Sequence, residues 1–163
     1  MYNDEGWLWA YCAATKGVDV ADNATVRLDM DNEPQPDALL RLENGQSKIS
    51  DDDYIEGPPE LIVEVAASSA SYDLHDKLNT YRRHGVQEYL VWQIYDNQLK
   101  WFQLTNGEYV LLSPDENGII RSQAFPGLHL SVNALLTGNK MAVMRTLQQG
   151  IATPEHADFV KHL

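Results

Sequence analysis

Apolar positions along this chain change period several times, and each change predicts a boundary. Trp7, Leu8, Trp9, Ala10, Tyr11, Cys12 and Ala13 arrive almost at once. They read as the second half of a helix ending at Lys16-Gly17, with Gly17 as its carboxy-terminal cap. Short alternating runs at Val18-Asp19-Val20 and Thr25 to Asp29 then predict two strands with a turn at Asp22-Asn23. Two prolines, Pro34 and Pro36, hold the chain extended before a third strand, Asp37 to Leu42, with Asp37 at its mouth. Glu43 to Pro59 reads as a polar loop that includes Asp51-Asp52-Asp53, a solvated acidic run.

Leu61-Ile62-Val63-Glu64-Val65-Ala66 is a buried-strand pattern, too short and too β-branched for a helix. From about Tyr72 to His84 the period changes: Leu74, Leu78 and Tyr81 fall on one helical face, Ser71 suits the cap and Gly85 the stop. Glu88 to Ile94 reads as a central strand, Asp96-Asn97 as a turn into Leu99 to Leu104, and Asn106-Gly107 as a turn into Tyr109 to Leu112. Ile119-Ile120 would continue this meander. A short strand at Leu128 to Leu130 precedes helices near Val132 to Leu136, Met141 to Gln149 and Pro154 to Leu163, the last with proline in its first turn. Strands interspersed with helices predict an α/β (mixed α+β) fold, and the carboxy-terminal helix would cover the sheet or meet another subunit.

Composition narrows the class. At 163 residues and 44% hydrophobic content the chain suits a single domain, 1–163, with enough apolar surface to close a core. The abrupt start predicts that part of an amino-terminal helical region is absent. A net charge of -12 and a pI near 4.6 argue against broad attraction to nucleic acid or anionic membranes, so any nucleic-acid role needs a local basic patch or bound cations. The single cysteine, Cys12, excludes an internal disulfide framework and fits a reducing compartment, with the cytoplasm as the default. No apolar stretch approaches the roughly 20 residues that span a bilayer, so no membrane partner is expected.

Three residues carry candidate chemistry: Asp37, Glu64 and Lys77. A carboxylate inside an apolar strand is costly unless it is protonated, hydrogen-bonded or bound to a cation. Two carboxylates at neighbouring strand ends offer hard oxygen ligands for Mg²⁺ or Mn²⁺ and leave positions for water and a phosphate oxygen. A lysine nearby orients water or neutralises a phosphate as a point charge. Together these parts suffice for phosphodiester hydrolysis.

The pattern resembles the PD-(D/E)XK nucleases, with Pro36-Asp37 followed by Glu64-Val65-Ala66. More narrowly, Pro36-Asp37, Pro59-Glu60-Leu61-Ile62-Val63-Glu64-Val65, Ser68-Ser69, Asp73, Lys77, Tyr81 and Gly85-Val86-Gln87-Glu88-Tyr89 are similar to a large bacterial family of restriction-endonuclease-like proteins. The resemblance spans roughly Val26 to Ile94. It implies a restriction-endonuclease-like fold, a central mixed sheet flanked by helices with the site at one end of its central strands. It also implies an endonuclease that uses Mg²⁺ or Mn²⁺, bound by Asp37 and Glu64, to hydrolyse DNA. The superfamily's lysine would fall at position 66, where this chain has Ala66; in this family the lysine of the next helix substitutes, which matches Lys77. A further acidic ligand from the amino-terminal helix has only Asp4 and Glu5 as candidates.

Other readings compete. A catalytically inactive nuclease-fold interaction module that could form a homodimer is the main alternative, and a glycosidase acid and base at Asp37 and Glu64 a third. Glu64 could pair with Arg27 or Arg41, and Lys77 with Asp73 at i,i+4. Glu60 reads as a solvent-facing strand entry, with a second metal oxygen as the alternative. His75, His84 and the Arg82-Arg83-His84 cluster read as ordinary surface, and Trp92, Trp101, Phe102 and Tyr109 as sheet core rather than base-stacking platforms.

Overall fold

The computed structural model describes residues 4–67 and 71–163, with the side chains of Asp4 and of residues 71–73 left out. A helix α1 (Asp4–Ala13) leads through a turn, where Gly17 takes a φ of 101°, into β1 (Val18–Asp22) and the two-residue β2 (Val26–Arg27). Then come β3 (Ala38–Leu42), β4 (Lys48–Ile49), β5 (Ile55–Glu56) and β6 (Leu61–Ala66). Helix α2 (Ser71–Arg83) crosses to β7 (Glu88–Gln93), and a 3-10 turn at Ile94–Asp96 leads to β8 (Gln98–Thr105) and β9 (Glu108–Leu111). The chain closes with β10 (Ile119–Arg121), β11 (His129–Ser131), α3 (Val132–Leu136), α4 (Lys140–Ile151) and α5 (Pro154–Lys161).

The main sheet has the order β1-β3-β6-β7-β8-β9. Within it every neighbouring pair is antiparallel except β6 with β7. Parallel neighbours cannot be joined by a hairpin; the crossover has to pass over a face of the sheet, and α2 is that crossover. Strand alternation divides the core in two. Leu61, Val63, Leu40, Leu90 and Trp101 face one way, against Trp7, Leu8 and Tyr11 of α1, Leu135 of α3, and Val143 and Leu147 of α4. Leu39, Ile62, Tyr89 and Val91 face the other way, against Tyr81 of α2, with Leu74 and Leu78 packed beside it. The helical stripe expected at Leu74, Leu78 and Tyr81 is therefore the face that α2 lays on the sheet.

Four local expectations change. Helix α1 ends at Ala13, short of Lys16-Gly17, because the next residues close turns in which Ala14 N and Thr15 N donate to Tyr11 O and Cys12 O. The polar segment from Glu43 to Pro59 is not wholly loop: β4 and β5 join β2 in a small three-stranded sheet. There Arg27 reaches Asp52 at 2.9 Å and Glu56 at 3.3 Å and stacks on Tyr54, so the acidic run Asp51-Asp52-Asp53 contributes a partner for arginine. Ile119-Ile120 does not extend the meander but pairs with β11. Glu60 is buried rather than solvent-facing, since its Oε1 turns back to accept from the Leu42 backbone N–H at 2.8 Å.

A second buried carboxylate is fully used by the fold. Glu88 Oε1 accepts from Trp101 Nε1 at 3.0 Å and Ser122 Oγ at 2.7 Å, and Oε2 from the N–H groups of Gln123 and Ala124, both at 2.7 Å. It pins the segment before β11 to the sheet. Among the described residues no helix is long and apolar enough to cross a membrane.

Candidate active site

Register brings the two acids together. In the antiparallel β3/β6 ladder Ala38 lies opposite Val63, so the residue before Ala38, Asp37, stands beside Glu64. By the period of two, Asp37 shares a face with Leu39 and Glu64 shares that same face with Ile62, the face covered by α2. Asp37 is anchored by its backbone neighbour: Oδ2 accepts from the Val65 N–H at 2.6 Å, which ties the mouth of β3 to the end of β6. Oδ1 accepts no hydrogen bond among the described residues.

Glu64 is 6% exposed and has three partners among the described residues. Oε1 accepts from the Tyr81 hydroxyl of α2 at 3.1 Å, Oε2 accepts from the Tyr89 hydroxyl of β7 at 3.3 Å, and Lys77 Nζ lies 3.1 Å from Oε2. Burial pushes the Glu64 carboxyl above its ordinary range, opposed by Lys77 and Tyr81 and reinforced by the Asp37 charge. Burial beside that carboxylate likewise raises the Tyr81 and Tyr89 phenols, so both remain protonated donors. The alternative arginine partners are engaged elsewhere. Arg27 holds the small sheet, while Arg41 donates to Asp19 at 2.6 Å and to Ser47.

Position 66 explains how a helix lysine can serve. Ala66 lies two residues beyond Glu64 on the same face, where a long side chain would fill the space over the carboxylates. Alanine leaves that space to α2. Lys77 enters it from above, and its side chain stays 42% exposed. Asp37, Glu64, Ala66, Lys77, Leu74 and Val91 line one cleft of about 230 Å³, together with Gln35, Val65, Ala67 and Tyr95. Glu5 is not among its lining residues, and α1, which carries it, packs on the opposite face of the sheet. Ser68, Ser69 and the side chains of Asp4, Ser71 and Asp73 lie outside the described residues, and with them the expected Ser71 cap and Asp73–Lys77 pair.

Two hard carboxylates side by side, one with an oxygen that accepts no hydrogen bond among the described residues and one half-compensated by an ammonium, suit an oxygen-seeking divalent ion completed by water. Among the described residues no group of three or more His, Cys, Asp or Glu side chains is arranged to hold a metal ion. The sequence places Tyr81 on the apolar face of a helix and Tyr89 in a central strand without showing their use; a phenol on the neighbouring strand or on the covering helix of a buried glutamate is the signal that could find it. Gln35 and Tyr95 were also missed as cleft residues. Trp101 is fully buried and Tyr109 donates to Val86 O, in the sheet core as expected; Arg82 and Arg83 bond backbone carbonyls, and His84, expected at the surface, is mostly covered and bonds Asp29 at 2.7 Å.

A mixed sheet whose central strands end in a paired aspartate and glutamate, with a lysine over them, defines a restriction-endonuclease-like nuclease fold. The chain belongs to the Uma2 family, described as "Putative restriction endonuclease", whose model matches residues 5–133. Among solved structures it is similar to one from Anabaena variabilis ATCC 29413, described as a putative nuclease belonging to DUF820. That match has a TM-score of 0.63 and 13% identity, and covers 82% of this chain and 75% of that one. No curated protein matches the sequence.

Proposed function

We propose that the protein is a divalent-metal-dependent endonuclease that hydrolyses phosphodiester bonds in DNA. The observation that carries this reading is the convergence of Asp37, Glu64 and Lys77 in one cleft, with Nζ 3.1 Å from Glu64 Oε2. Membership of a family described as restriction endonucleases supports DNA as the substrate. Asp37 and Glu64 would hold Mg²⁺ or Mn²⁺, which when bound lowers the pKa of water and offsets charge on the phosphate. Tyr81 and Tyr89 fix the Glu64 carboxylate so that its geometry does not relax when substrate arrives. Lys77 brings a mobile positive charge to the scissile phosphate or to the attacking water, the part that Ala66 cannot play. With the chain at net charge -12, such local cations, rather than the surface as a whole, attract the polyanion.

Mn²⁺ titration by calorimetry, paired with nicking of supercoiled plasmid, tests this on wild type and Asp37→Ala. Wild type should bind the ion and cut, and D37A should lose both. Cutting that survives D37A overturns the proposal.

A further inference from the structure

The end of β7 carries a polar pair that the proposed metal site does not use. Gln93 is 5% exposed, and its Oε1 is buried without a hydrogen-bond partner among the described residues. Its Nε2 donates to the Tyr95 hydroxyl at 3.3 Å. In the parallel β6/β7 ladder Gln93 lies in register with Ala66, and it shares a face with Val91; both of those residues line the cleft, as does Tyr95. Tyr95 itself sits on the 3-10 turn, held by the left-handed Asn97 that closes it, and is 40% exposed.

A buried amide with an unmatched acceptor is unfavourable, and leucine or methionine would fill the same strand-end volume without that penalty. Packing therefore does not account for Gln93. Its bond to Tyr95 does have a consequence. Because the phenol oxygen accepts from Nε2, its own proton is left to donate away from Gln93. A neutral O–H donor in a cleft that also holds an ammonium suits an anionic oxygen, with no added charge to repel a divalent ion.

Resting on the nuclease reading above, we propose that Tyr95 is a substrate-binding residue whose hydroxyl donates to a non-bridging phosphate oxygen of the DNA strand, and that Gln93 is the positioning residue that fixes it. Ala66 makes room for the arrangement: a long side chain there would stand beside Gln93 in register and compete for the same space.

The test uses the full chain with a fluorescein-labelled duplex oligonucleotide, bound in Ca²⁺ and cut in Mg²⁺. Y95F should raise KM, and the Kd in Ca²⁺, about tenfold, with a smaller fall in kcat. Q93M should reproduce that split, and the Y95F/Q93M double variant should be no worse than either single one, because the two act as a unit. Mn²⁺ affinity should be equal in all of them, a readout that separates this pair from the acids. Wild type that cuts DNA while Y95F keeps the wild-type KM and Kd overturns the pair assignment and leaves the nuclease reading standing. Wild type that neither binds Mn²⁺ nor cuts overturns both. Should Q93M fail to fold, Y95F decides alone.

Discussion

Replacing Lys77 by methionine separates two effects that usually move together. The ammonium lies 3.1 Å from Glu64 Oε2, a position in which it neutralises the carboxylate and also repels any divalent ion approaching it. At an effective dielectric near 20, unit charges at that distance interact by about 5 kcal/mol. The lysine side chain is 42% exposed and the glutamate side chain 8%, so water screens one end of the pair and the net figure falls to about 1 kcal/mol. A proton competing for Glu64 gains from the loss of the ammonium once; a divalent ion, with twice the charge, gains about twice. Twice about 1 kcal/mol corresponds to about 30-fold, so K77M is expected to bind Mn²⁺ more tightly by about that factor where Glu64 is ionised. Its cleavage rate should nevertheless fall by about 100-fold or more, the usual cost of removing one preorganised charge from a developing transition state. Calorimetry with Mn²⁺ and plasmid nicking at saturating metal measure the two quantities on one preparation. K77M that cuts at the wild-type rate, or that binds Mn²⁺ more weakly, would refute the reasoning, since either result places the ammonium outside the reaction or makes it a support for the metal rather than a competitor.

Two further outcomes follow from the buried acids. Burial raises the Glu64 carboxyl above 4.5, so the native state keeps a proton that the unfolded chain releases, and the stability this contributes is lost as pH rises through the folded value. In chelator, the melting temperature of wild type relative to E64Q should therefore fall from pH 4.5 toward neutrality; a difference that grows with pH would contradict the burial argument. Glu88→Ala deprives four donors of their acceptor, at a cost of about 3–5 kcal/mol, so the melting temperature should drop by roughly 10 °C, and a change under about 2 °C would show that water replaces the carboxylate.

The strands of the site were legible because they are apolar on both faces: Leu61 to Ala66 cannot be exposed anywhere, and a charged residue inside such a run needs a partner. Asp37 was legible through its proline and its place at the strand mouth. The helix face of α2 was legible through Leu74, Leu78 and Tyr81, and it decided what Lys77 could reach. The partners of the carboxylates were not, because hydrogen bonds such as Tyr89 to Glu64 depend on which strands are neighbours, and Glu64 and Tyr89 meet only through the parallel pairing of β6 and β7. Glu60 misled for the same reason, since its acceptor role is fixed by the fold of β3 around it. The small sheet of β2, β4 and β5 escaped notice because two-residue strands carry no period; Arg27, surrounded by carboxylates, holds it instead of an apolar pattern.

Helix α1 and the turn after it make three side-chain hydrogen bonds with residues more than a hundred positions later. Trp7 Nε1 donates to His129 O, Tyr11 donates to Pro126 O, and Thr15 pairs with the buried His156 at 2.8 Å. During synthesis, then, the first helix can meet β1 and β3 early, while the face of Trp7 and Tyr11 waits for Trp101, Phe125 and His156 to follow. Closing loops of that length is slow, and the exposed tryptophan and tyrosine face is the stretch on which a chaperone would act in the interval. The two acids and the lysine, all contributed by residues 37 to 77, are thus strung along a segment synthesised before the layer that backs their sheet is complete.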